Sequence, residues 1–138
     1  MPFILEPEVA GGWGKGTVAN TSVHPPIVEK LEYEFSGWLG DELLESFPCF
    51  IVSDRLASEL KNSHLTGYRL ASLVVSKSSE FRDLEVNASL PGFQWLQVVG
   101  ATAVNDFWQN SQHQLVVSES ALSVLKRGSL NACQIQPC

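Results

Sequence analysis

The chain has 138 residues, 44% of them hydrophobic and 17% charged, with a formal net charge of −6. That is enough apolar material for one domain (1–138) with its own core, and too little charge for a disordered chain. The acidic balance argues against direct nucleic-acid binding, because phosphates would be repelled, and favours a basic protein as partner.

In chain order, Phe3 to Val9 reads as a first strand, blunted by Pro2 and Pro7. Residues 10–28 read as a long Gly/Pro-rich loop, and loops of that length tend to be functional. Leu31 to Phe35 alternates apolar and acidic residues, the pattern of a half-buried strand. Gly37–Asp41 is a turn, and Asp41 to Ser46 a short helical turn ended by Pro48. Cys49 to Val52 is an apolar strand, followed by a helix capped by Ser53 whose Leu56, Ala57 and Leu60 share one face. Tyr68 to Ser76 is strand-like. Residues 77–92 form a polar connection with one helical turn at Phe81–Leu84, and Phe93 to Val99 is a strong strand with Trp95 facing the core. Ala101 to Gln112 reads as an irregular loop. Leu115 to Val117 is a strand, Ser118 caps a helix running to Arg127, Gly128 stops it, and Ala132 to Gln136 is the last strand.

Two segments align without a gap. FIVSDRLASELKNSHLTGYRL (50–70) lies over LVVSESALSVLKRGSLNACQI (115–135), matching Val52 to Val117, Ser53 to Ser118 and Leu60-Lys61 to Leu125-Lys126. Both say strand, Ser-capped helix with an acid at its first position, turn, strand. Duplication accounts for this, and so does independent use of one good capping solution. Either way the expected fold is α+β: a mixed or mainly antiparallel sheet with two short Ser-capped helices in two similar strand-helix-strand units.

GGWGKGT (11–17) invites a phosphate-loop reading, but Lys15 is followed by Gly16 instead of Ser or Thr. The β-branched sequel and His24-Pro25-Pro26 also deny the helix that such a loop needs. It reads instead as a flexible loop carrying a tryptophan. The cysteines, Cys49, Cys133 and Cys138, are odd in number and widely spaced, as for reduced thiols in a cytoplasmic protein. His24, His64 and His113 are scattered singly, so no metal or other cofactor is expected. There is no nucleophile elbow and no paired-His helix, and no catalytic residue stands out. Glu32 and Glu34 share one face of their strand, read as an exposed polar face. Residues 2–9 lack the basic flank of a secretory signal, and no apolar run approaches the roughly 18 residues of a membrane span.

Trp13, Trp38 and Trp108 fall in segments read as loops or turns, beside the acids Asp41, Glu42, Glu45 and Asp106. Loop tryptophans can cover a core from the side. They can also anchor an interface, and with a negative rim they would suit a basic partner. These seven residues are therefore the candidate partner-binding set.

The stretches LEPEVAGG, SVHPPIVEKLEYEFSGWLGDELLESFPCFIVSD and VVSESALSVLKRGSLNACQIQP resemble small bacterial immunity-protein-like chains, similar to the DUF1629 (Imm11-like) group. The resemblance implies a cytoplasmic mixed α/β domain that neutralises a toxin by binding it. The functional expectation is thus a non-enzymatic protein-binding domain whose partner is a cognate toxin or another basic protein. Two alternatives stand beside it: a small enzyme or small-molecule binder with its site under the 10–28 loop, near His24, Glu32 and Glu34; and a homo-oligomeric subunit associating through sheet edges and tryptophans.

Overall fold

The computed structural model describes residues 1–84 and 89–138. Its elements in chain order are β1 (Phe3–Glu6), β2 (Gly11–Trp13), β3 (Val18–Asn20), β4 (Ile27–Lys30), β5 (Glu32–Phe35), β6 (Leu43–Ser46), β7 (Cys49–Ser53), α1 (Asp54–Lys61), β8 (Tyr68–Ala71) and β9 (Val74–Lys77). Then come α2 (Ser79–Leu84), β10 (Phe93–Val98), β11 (Phe107–Gln109), β12 (Leu115–Val117), α3 (Glu119–Leu125) and β13 (Gln134–Pro137). The protein is mixed α+β with mainly antiparallel pairing, and β5 with β9 is a parallel pair.

Two antiparallel sheets dominate, with strand orders β6-β7-β10-β8 and β11-β12-β1-β13. In the first, β7 alternates its side chains between two cores. Phe50 and Val52 join the α1 and α3 side, while Cys49 and Ile51 face the other way, with Trp95 and Phe93 of β10. One sheet thus serves two apolar layers. The first core holds Leu56, Ala57 and Leu60 of α1 and Ala121, Leu122, Val124 and Leu125 of α3. The second is aromatic, with Tyr33, Phe35, Phe81, Phe93 and Trp95. Tyr33 and Phe35 lie 4.8 Å apart between ring centres.

The two sheets use matching registers. β6–β7 and β11–β12 are antiparallel neighbours with short connections, each followed by a helix. In the first sheet Ile51 faces Trp95, which faces Ala71; in the second Val116 faces Ile4, which faces Gln136. Ser53 accepts the Leu56 N–H and Ser118 accepts the Ala121 N–H, so both helix starts are closed in the same way. The inserted middle strands come from elsewhere in the chain: β10 lies between β7 and β8, and β1 between β12 and β13.

Several expectations need correction. The 10–28 stretch contains β2, β3 and the start of β4. β2 has no hydrophobic period, because its pairing depends on backbone contact: a Cβ on Gly11 would overlap the Glu34 carbonyl. Asp41 to Ser46 is no helical turn, since Leu43–Ser46 pairs with β7 as β6. The Tyr68 to Ser76 segment divides into β8 and β9, which join different sheets. The loop expected at Ala101 to Gln112 contains β11. The expected pair of helices is joined by a third, α2, covering the expected turn at Phe81–Leu84; the part of the 77–92 connection at 85–88 lies outside the described residues. Among the described residues no helix is long and apolar enough to cross a membrane.

Candidate functional site

The seven candidate residues do not form an exposed aromatic surface with an acidic rim. Trp108 is in β11 and buried. Trp13 is in β2, packed against the aromatic core, with its indole N–H buried and without a hydrogen-bond partner. Trp38 does stand in the loop before β6, but it is half-buried. Its ring meets Phe35 and Phe93 edge-on, and its Nε1–H donates to the Asp41 carbonyl at 2.9 Å. The indoles of Trp13 and Trp38 cover the aromatic core from the side.

The acids are internal ligands of backbone. Asp41 is fully buried, and its two oxygens accept the N–H groups of Asn131 (2.9 Å) and Ala132 (2.8 Å). Glu42 is also buried and accepts from Ser53 Oγ (2.8 Å), Ser129 N–H (2.7 Å) and the Arg55 guanidinium. Asp106 accepts from Ser118 Oγ (2.7 Å) and from Thr66 N–H (2.9 Å). Each helix-capping serine therefore donates to a carboxylate that immediately precedes the neighbouring hairpin. That carboxylate also holds the turn after the other helix. Glu45 is half-buried at the seam where β6 approaches β1, near Glu6.

These settings move the carboxylates in opposite directions. Burial pushes Glu42 up, but the bonds from Arg55, Ser129 and Ser53 outweigh it and hold it below the ordinary range. Asp106 is likewise raised by burial and then lowered further by Ser118 and Thr66. Burial raises Glu8 and Glu45, the latter helped by the nearby Glu6 charge. The signs give a pH profile. Glu8 and Glu45 take up protons in the folded state before the unfolded chain does, so stability grows as pH falls through their folded values. Glu42 and Asp106 do the reverse: their contribution is present above the ordinary carboxylate range and is lost below it. Stability should therefore peak on the acid side of neutrality. Glu45→Gln should raise the neutral-pH urea midpoint and flatten the rise. Urea titrations between about pH 8 and about pH 4 check this, and a midpoint that falls steadily from the neutral end contradicts it.

The glycine loop is closed by an internal anion. Glu32 Oε1 accepts the Gly16 N–H at 2.9 Å, its carbonyl accepts the Gly14 N–H at 2.8 Å, and Cβ atoms on Gly14 or Gly16 would crowd its carboxylate. Glu32 Oε2 also accepts from Ser76 Oγ at 2.7 Å. Glu32 and Glu34 are half-buried, not an exposed face, and Glu32 holds the loop where a phosphate would otherwise sit.

What is exposed is the β3–β4 ribbon. Ala19 and Val28 pair on its inner side, and Val28 packs on the aromatic core. Val18 (48% exposed), Ile27 (58%) and, at the connection, Val23 (43%) face outward. His24 stacks on half-exposed Phe47 at 6.0 Å, and His113 meets both rings edge-on. Beneath the ribbon's start lies a cleft of about 370 Å³ whose walls include Pro25, Pro26, Phe50, Trp95, Gln97 and Gln109. The signal for this region was in the sequence: Val18-Ala19-Asn20 and Ile27-Val28-Glu29 flank a turn-forming Ser/His/Pro stretch, which is hairpin punctuation.

Thiol chemistry is disfavoured by burial, which pushes Cys49 up to about 12 and Cys133 up to about 11. β13 runs between Cys133 and Cys138 as extended chain, which sets them too far apart for a disulfide. Among the described residues no three His, Cys, Asp or Glu side chains gather in a metal-holding group. No protein-family model and no curated protein matches the chain.

Proposed function

We propose that the chain is a non-enzymatic protein-binding domain of the immunity type, which neutralises a basic bacterial toxin in the cytoplasm by covering it. The observation that carries the reading is the β3–β4 ribbon. It is a two-stranded projection with outward valine and isoleucine side chains, no third strand on either edge among the described residues, and Phe47 beside its tip. Exposed apolar groups on an unpaired ribbon suit docking by contact and by strand addition. The net charge of −6 supports fast, selective encounter with a basic surface. The engaged carboxylates and raised thiols leave little for a catalytic reading.

A photo-crosslinking residue placed at Ile27 should capture a basic partner from the source lysate. The same residue at Val104, exposed beside Met1 and Glu119, should not. Equal capture from both positions would overturn the assignment of the ribbon.

We also infer that the two Ser-capped strand-helix-strand units are copies of one ancestral unit whose first strands have changed places. β1 would belong with β6-β7-α1-β8 and β10 with β11-β12-α3-β13, yet each completes the other's sheet. The support is the ungapped segment alignment, the shared registers and the reciprocal carboxylate latches at Glu42 and Asp106. Two independent capping solutions would have no reason to share the register of a third strand.

A further inference from the structure

The cleft under the ribbon has a chemistry of its own. None of the described residues lining it is charged, and Trp95, Gln97 and Gln109 are among them. Its volume of about 370 Å³ falls in the range of small-ligand sites.

Three side-chain polar atoms of these lining residues make no hydrogen bond among the described residues, and local bonds fix what two of them offer. Gln97 Oε1 accepts from Arg69 Nε at 2.8 Å, which orients the amide so that its NH2 is the open donor. Gln109 Nε2 donates to the His113 carbonyl at 3.1 Å, which leaves Oε1 as the open acceptor. Trp95 is 93% buried, being 7% exposed, yet its Nε1–H makes no hydrogen bond and is not sealed in the interior as that of Trp13 is. A donor that solvent can reach and that no protein group engages is open to a ligand. The matching positions of the other sheet seam hold Glu6 and Glu45 in place of Gln97 and Gln109, so the neutral amide pair is particular to this side.

We propose that this cleft binds a small neutral ligand through a carboxamide or lactam group. The ligand's carbonyl would accept from Gln97 Nε2 and Trp95 Nε1, its N–H would donate to Gln109 Oε1, and its flat body would rest on Pro25 and Pro26. A carboxylate is the poorer ligand, because it brings no N–H for Gln109 Oε1. The cleft shares Ile27 with the ribbon, but its polar groups at Trp95, Gln97 and Gln109 lie outside the ribbon, so the test of either proposal can fail without the other.

Nicotinamide is the probe, nicotinate its charged counterpart. Followed by tryptophan fluorescence and by the side-chain NH2 signals of Gln97 and Gln109, nicotinamide should titrate saturably in the millimolar range and move both amides. Nicotinate should not. Gln97→Glu keeps an acceptor for Arg69 and so keeps the fold, but removes the donor, and should weaken nicotinamide by about tenfold or more. Failure to saturate, equal binding of nicotinate, or unchanged affinity in Gln97→Glu with its folded spectrum intact each overturns the proposal.

Discussion

Asp41→Ala should cost about 3–4 kcal/mol of folding stability. Asp41 has no exposed surface, and its carboxylate satisfies two backbone N–H groups, at Asn131 and Ala132, far along the chain. Alanine leaves both part-buried amides without their acceptor. Bonds to a charged acceptor contribute about 1.5–3 kcal/mol each, and an orphaned buried donor about 1–3 kcal/mol. The turn held there leads into β13, whose Ile135 packs on the first core, so the loss reaches beyond the turn. Asp41→Asn keeps one acceptor and should recover part of the stability. Urea unfolding of the three proteins checks this. A loss under about 1 kcal/mol for the alanine variant would mean that the turn at 129–132 does not depend on Asp41.

Removing residues 1–6 should abolish cooperative folding of the whole chain. β1 is an inner strand, bonded to β12 on one edge and to β13 on the other. Its loss exposes two strand edges and withdraws Leu5 and Phe3 from the first core. That core is shared: Phe50, Val52 and Leu96 of the other large sheet, together with both α1 and α3, pack in it. The sheet that keeps all its own strands should therefore melt as well. Far-ultraviolet circular dichroism and tryptophan fluorescence should both report an unfolded chain, and a peptide spanning residues 1–9 should restore both signals together. A truncated protein that retains a sharp transition would show that the β6-β7-β10-β8 sheet stands alone.

Local rules made part of this legible beforehand. Ser53 and Ser118 cap helices because a hydroxyl followed by an acid and an amphipathic run satisfies a helix start in nearly any context. β7 and β12 are nearly continuous apolar runs, and β10 is apolar but for Gln94 and Gln97, a pattern that a buried strand or helix uses and whose length favours strands. β2 was hidden because its pairing needs the absence of side chains. β6 was hidden because Leu43-Leu44-Glu45-Ser46 is too short to reveal a period, and pairing with β7 decides it.

The tryptophans and acids were misplaced for one physical reason. An acid after a turn looks solvated in one dimension, but the N–H groups that Asp41, Glu42 and Asp106 accept from belong to distant turns. Only the third dimension supplies those donors. Trp13 and Trp108 likewise stand in three-residue strands, too short to signal themselves. The ribbon had a hairpin signal in Val18–Asn20 and Ile27–Glu29, whereas the cleft had none, because Gln97 and Gln109 look ordinary until the fold brings them together.

The central claim is that the chain works by binding a basic partner through the β3–β4 ribbon. Its most direct test is the affinity of that partner, once captured through position 27, for three proteins measured side by side: the parent, Ile27→Asp and Val104→Asp. Both side chains are exposed, so both variants should keep the parent's unfolding midpoint. Ile27→Asp should lose at least about 2 kcal/mol of binding while Val104→Asp stays at parent affinity. Parent affinity in Ile27→Asp, or an equal loss in both variants, would contradict the account.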